Sequence, residues 1–332
     1  MTHSPILPHV TRRRMLTISA AAAGASLLPS ASVARNDFHR WKGIALGANA
    51  EVILNHSDRQ EAEETLSRVV DDVRRLERIF SLYDTQSELA CLNRDGHVLN
   101  PAPEFLELLA SVRALHEMTD GAFDPTVQPL WGLYARSFSE TGRFPRERDI
   151  ATALECVGFE GVFFDAENIK VARPGMALTL NGVAQGFITD RVSALLKARG
   201  YSDVLVNLGE IAALGAGNAG QDGWRVTLQP DRTRRGRPTV LKNRSVATSS
   251  LAGMTFDEAG KAFHILDPRT GRPAGTDLSG VSVITDRAAF ADGLSTAALI
   301  MGERNFRLAV KDRRDIEAFA LRTDGTPTEF SA

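Results

Sequence analysis

The chain has 332 residues, 24% of them charged and 43% hydrophobic, with 27 glycines and 14 prolines. That composition excludes a disordered or collagen-like chain and leaves one large globular domain or two smaller ones, with ample material for a core. A formal charge of −2 offers no basic excess for nucleic acid, and no stretch of the chain is apolar and long enough to span a bilayer.

The first segment reads as a targeting signal. Thr11-Arg12-Arg13-Arg14-Met15-Leu16-Thr17 sets an arginine pair ahead of a mildly apolar, alanine-rich run, Met15 to Leu28. Ser32-Val33-Ala34 supplies the small-x-small pattern of a signal-peptidase site, and the first acidic residue is Asp37. Together these predict a twin-arginine leader over residues 1–34 and a periplasmic domain over 35–332. An unprocessed amphipathic N-terminus is the alternative. Loss of the leader removes three arginines and no acid, which takes the formal charge from −2 to −5.

Beyond the leader, Ile44 to Asn55 alternates apolar and polar residues and predicts a strand. Glu61 to Phe80 carries Leu66, Val69, Val70, Val73, Leu76 and Ile79 at helical spacing. Pro103–Thr119, Pro145–Val157 and Gly186–Arg199 are further predicted helices, the last stopped by Gly200. Val204–Leu208, Trp224–Leu228, Ser245–Thr248 and Gly280–Ile284 read as strands, and Phe290–Met301 returns to helical period. Asp231 to Lys242, rich in arginine and holding one proline, reads as a solvated loop. Strands and helices intermix without a steady βαβ beat, which favours an α+β fold. Cys91 and Cys156 have no metal-ligand spacing, and whether they pair is open.

Polar, glycine-bearing segments interrupt this pattern too densely for plain turns. No G-x-x-x-x-G-K-[ST] or G-x-G-x-x-G loop is present, so neither standard nucleotide loop applies. Asp292 and Thr296, four apart, share one helix face; both are hard oxygen donors suited to Mg²⁺, or else a capping aspartate and an unrelated threonine. Ala247-Thr248-Ser249-Ser250 closes a predicted strand.

In this order the segments resemble the ApbE family of FAD:protein FMN transferases. The resemblance rests on Ser81-Leu82-Tyr83-Asp84 leading into Ser87-Glu88-Leu89 and Leu92-Asn93, on Phe123 to Leu130 with Trp131-Gly132, and on Thr179 to Asp190. It rests also on Asn207-Leu208-Gly209-Glu210, on His264 to Pro273, and on Ala291 to Thr296. The Leu180–Gly186 variant together with the leader is similar to the NosX-like branch, linked to maturation of nitrous oxide reductase.

The resemblance implies an ApbE-like, T-fold-related α+β architecture of mixed, largely antiparallel sheets with packed helices. It implies transfer of FMN from FAD to a threonine or serine hydroxyl, releasing AMP. The acceptor would be a flavoprotein subunit of a membrane redox system. It implies Mg²⁺, or Mn²⁺, held by Asp292, Thr296 and the main chain of Gly182. FAD would meet Leu46, Gly47, Tyr83, Ala122, Phe123, Asp124, Thr179, Gln185, His264 and Ile265. His264 and Asp292 are the candidates for general base. Thr179 and Gln185 stand where the family has aspartate and lysine, which leaves either a neutral hydrogen-bonded pocket or weaker FAD binding. FAD hydrolysis and a non-catalytic flavin carrier are the competing readings.

Overall fold

A computed structural model describes residues 25–27, 37–217 and 222–331; most of the predicted leader, including Ser32-Val33-Ala34, lies outside the described residues. After a short strand β1 (Ala25–Leu27), β2 (Phe38–Ala45) and β3 (Ala48–Asn55) form a hairpin. Leu46 and Gly47 make its two-residue turn, with φ of 44° and 78°, the left-handed pair that suits the twist of the flanking strands. The single strand expected over Ile44–Asn55 is therefore two. Leucine stands where asparagine or glycine would have signalled the turn, and a tertiary contact holds it: the Leu46 N–H donates to Glu77 Oε1 at 2.6 Å.

Helix α1 (Arg59–Phe80) follows, its first turn capped by the Asp58 carboxylate, which accepts from the N–H groups of Gln60 and Glu61. Next come α2 (Glu88–Asp95), β4 (His97–Leu99), α3 (Pro103–Met118), α4 (Gln128–Thr141) and α5 (Glu147–Leu154). Strands β5 (Val162–Phe164) and β6 (Asn168–Val171) pair with β4 in a small sheet, and α6 (Ala184–Ala198) leads back to the main one. The second half holds β7 (Val204–Asn207), β8 (Ile211–Leu214), β9 (Trp224–Leu228), β10 (Arg237–Leu241), β11 (Arg244–Ser250) and β12 (Leu278–Thr285). Helix α7 (Ala288–Val310) and strands β13 (Glu317–Arg322) and β14 (Pro327–Ser331) complete it.

The main sheet has eight strands in the order β14-β13-β12-β11-β8-β7-β3-β2, all antiparallel. Both faces are covered. Val52, Leu54, Val206, Ala247, Val281 and Val283 point toward the helices, packing with Leu76, Ile188 and Leu294. The residues between them, such as Ile53, Leu205, Val246 and Ile284, point the other way, onto Val226, Leu228 and Leu241 of the sheet formed by β1, β9 and β10. The segment expected as a loop over 231–242 thus contains an edge strand. Pro238 is tolerated there because β10 pairs on one side only.

Three close approaches lock the helical layer. A Cβ on Gly186 would lie 2.4 Å from the Ala288 carbonyl oxygen, so α6 crosses the start of α7 backbone to backbone. The Asp190 carboxylate caps α7, accepting from Ala288 N–H at 2.7 Å and Ala289 N–H at 3.0 Å. A Cβ on Gly293 would meet Leu115 of α3 at 2.4 Å. Helix α7 breaks at Gly302 (φ 76°), where Asp277 accepts the Glu303 N–H and restarts the helix.

Replacing Gly186 by alanine should force this crossing apart and cost about 1–3 kcal/mol, as overpacking does in well-packed cores. Urea unfolding would show a lower midpoint with an unchanged slope.

Candidate functional site

Loops from both halves of the chain enclose a cavity of about 1010 Å³, at the upper end of the usual range for small-molecule sites. Each loop is held by hydrogen bonds that the sequence motifs supply. Ser81 Oγ accepts from the N–H groups of Tyr83 and Asp84, and Ser87 caps α2 through Ala90 N–H. That turn leaves the Tyr83 ring 49% exposed at the cavity wall. Asn93, at the end of the same motif, brackets Leu178: it accepts its N–H at 2.7 Å and donates to its carbonyl at 2.8 Å. This fixes the chain that carries Thr179 to Gly182 into the cavity.

Every predicted site residue lines this one cavity. Leu46 and Gly47 form one wall at the hairpin turn. Ala122, Phe123 and Asp124 form another. The Asp124 carboxylate is committed within the fold, accepting from Thr126 N–H, Thr126 Oγ and Phe159 N–H. Its carboxylate is thus largely spent on shaping this wall. His264 donates from Nδ1 to the Met254 carbonyl at 2.8 Å, the only role a carbonyl partner permits. Burial lowers its pKa, so the ring is neutral and Nε2 carries a lone pair.

The floor of the cavity is acidic. Asp292 is 4% exposed, and the one described hydrogen bond to its carboxylate is from Gly186 N–H at 3.2 Å. Burial pushes its carboxyl up to about 7, against that bond, with the charge of Asp190 adding to the rise. Glu210, also buried, accepts from Thr248 N–H and is pushed well above the ordinary carboxylate range by burial and then by Asp292. Among the described residues neither acid has an ion-pair partner. Two uncompensated buried carboxyls are costly in their ionised form unless a cation joins them.

The donors beside them fit such a cation. A Cβ on Gly182 would lie 3.2 Å from Thr296 Oγ1 and 3.4 Å from Phe123, so this main chain runs close to Thr296 and a side chain there would crowd it. Asp292 and Thr296 offer hard oxygen donors of the kind Mg²⁺ or Mn²⁺ takes, with the main chain of Gly182 beside them. The site fits a large polar ligand as well. Gln185 Nε2 is buried without a hydrogen-bond partner in the cavity wall, a donor awaiting an acceptor.

Sequence reasoning did not assign Glu210, Ser249, Arg74 or Arg78, all of which line the cavity. Glu210 and Ser249 fall in segments that stood out as motifs. The two arginines, on the exposed face of α1, carried no signal that separates them from other surface charges.

The sequence matches the ApbE family model over residues 46–320. It is 29% identical over 282 residues to the FAD:protein FMN transferase of Haemophilus influenzae, covering 80% of each chain. It is 28% identical over 292 residues to that of Klebsiella pneumoniae, covering 85% of this chain and 89% of the relative. Among solved structures, the fold superposes on Pseudomonas stutzeri flavinyl transferase ApbE in its apo form with a TM-score of 0.79, at 25% identity, over 90% of this chain and 96% of that one. It superposes on the ApbE protein of Thermotoga maritima with a TM-score of 0.76, at 26% identity, over 88% and 97%.

The buried His264 should stay neutral as pH falls through the ordinary histidine value of about 6.5, because burial opposes its charged form. Long-range ¹H–¹⁵N NMR should show the Nδ1–H tautomer throughout. Titration at or above pH 6.5 would contradict this.

Proposed function

The chain belongs to the ApbE family and is an FAD:protein FMN transferase, and we propose that it carries out the transfer in this cavity with a divalent cation. The acceptor we propose is a threonine or serine hydroxyl on an exported domain of a membrane redox protein. The observation that carries the reading is the pair of buried carboxyls, Asp292 and Glu210, beside the Thr296 hydroxyl and the Gly182 main chain, neither of them in an ion pair among the described residues. When bound by Asp292, Thr296 and Gly182, Mg²⁺ would neutralise pyrophosphate charge and steady the leaving AMP.

The chain's own residues supply the rest. The exposed Tyr83 ring offers a stacking face for an aromatic ring system. Gln185 Nε2 offers a hydrogen bond to a ligand oxygen in place of a charged group. In the transfer, the acceptor oxygen forms a bond to the FMN phosphorus, the bond from that phosphorus to the AMP oxygen breaks, and the hydroxyl proton must leave. The neutral His264, with Nε2 unprotonated, is the group on this wall best able to take it.

The arginine pair, the alanine-rich run and Ser32-Val33-Ala34 support export by the twin-arginine route to the periplasm, with residues 35–332 as the working domain; cleavage would remove β1 and leave β9 paired with β10 alone. The Leu180–Gly186 variant supports a place in nitrous oxide reductase maturation.

Intact mass spectrometry of a candidate acceptor domain, incubated with the protein, FAD and Mg²⁺, should show a gain of one FMN that EDTA abolishes. Asp292→Ala should reduce the rate by ~100-fold or more, as loss of a group that stabilises transition-state charge does. Tyr83→Ala should raise KM for FAD about five-fold, for a lost aromatic contact of ~1 kcal/mol. Free FMN and AMP with no labelled acceptor would mark a hydrolase; intact FAD with several acceptors would mark a carrier.

A further inference from the structure

The strand end Ala247-Thr248-Ser249-Ser250 has no part in the reading above, yet Ser249 touches its centre. The last residues of β11 run beside α7. Ser249 Oγ lies 2.7 Å from Ser295 Oγ and 3.1 Å from Thr296 Oγ1. Ser295, fully buried, lies one residue before Thr296 and turns back to the Asp292 carbonyl, 2.9 Å away.

Counting protons sets the direction of every bond in this chain. A carbonyl oxygen only accepts, so the single hydroxyl proton of Ser295 is committed to Asp292. Ser295 can then only accept from Ser249, and the Ser249 proton is committed in turn. Ser249 can therefore only accept from Thr296. The Thr296 hydroxyl proton is directed at Ser249, which leaves its lone pairs free for another partner beside Gly182.

We propose that Ser249 is a positioning residue that fixes the Thr296 hydroxyl in the one orientation able to ligate a cation. A threonine oxygen binds a metal through its lone pairs. A hydroxyl free to rotate spends part of its time presenting its proton instead. The relay Thr296–Ser249–Ser295–Asp292 ends on the main chain of the very residue whose carboxylate is the proposed partner ligand. It thereby ties the hydroxyl's orientation to the helix turn that carries both donors. This rests on the assignment of Asp292 and Thr296 as ligands, and the experiment separates the two.

The probe is Mn²⁺, its free fraction read by electron paramagnetic resonance on the full chain saturated with FAD and without acceptor. Ser249→Ala should raise the Mn²⁺ Kd by about 10-fold, the lower end of the loss seen when a partner that orients a ligand is removed. Ser295→Ala should raise it as well, although Ser295 reaches neither the cavity nor the cation, because it returns the Ser249 proton to Thr296. The double variant should be no worse than Ser249→Ala alone, since both act through one chain of bonds. Wild-type affinity in Ser249→Ala, or effects of the two variants that multiply, overturns the relay. Asp292→Ala is the control. If it loses Mn²⁺ while Ser249→Ala does not, the relay alone fails; if it binds Mn²⁺ as the wild type does, the ligand assignment fails and the relay with it.

Discussion

The crossing of α6 over the start of α7 is the constraint on which the site depends. Its closeness comes from Gly186, where any side chain would strike the Ala288 carbonyl. From that one contact three consequences follow along the same two helices. The Gly186 N–H reaches Asp292, one turn into α7. Asp190, one turn further along α6, reaches back to cap α7. The turn before α6 brings the main chain at Gly182 against Thr296. A wider crossing would undo all three at once, because each spans the same gap. The motif from Thr179 to Asp190 and the motif from Ala291 to Thr296 are thus two sides of one joint.

The electrostatics follow from that joint. Burying Asp292 and Glu210 under the crossing removes water that would otherwise stabilise their charge, which is why both rise from the usual carboxylate range. The few N–H donors nearby only partly offset this. Gln185 adds a neutral donor to the wall, and the lining arginines, Arg74 and Arg78, belong to α1 rather than to this joint. A cation for the two acids would then come from solution.

Much of this was legible in the residues, and the parts that were not have identifiable causes. Helices α1, α3 and α6 declared themselves because each buries one stripe over many turns. The predicted end of the last helix at Met301 falls one residue before the break at Gly302, where the periodicity changes phase. The hairpin turn was hidden because Leu46 is apolar and its strained φ is held by Glu77, 31 residues away, which no local pattern reveals. Strand β10 was hidden because an edge strand needs no apolar alternation on its open side. The site residues were legible as motifs but not as chemistry. Spacing could place Asp292 and Thr296 on one face, yet it could not show Glu210 buried beside them or Ser249 across from them. It also suggested nothing of Asp124's commitment to Thr126 and Phe159, which gives that carboxylate a part in shaping the wall.

The bracket that Asn93 makes on Leu178 has a consequence for how the cavity comes into being. Its two halves are 85 residues apart in sequence, and those of the Gly186–Asp292 bond are 106 apart. Contacts of such span close large loops and form late, after local helices and hairpins are in place. A fragment that lacks either side of these bonds lacks part of the wall that would hold a dinucleotide. Flavin capture is therefore an event of the finished domain, and the binding energy it contributes stabilises the native state alone.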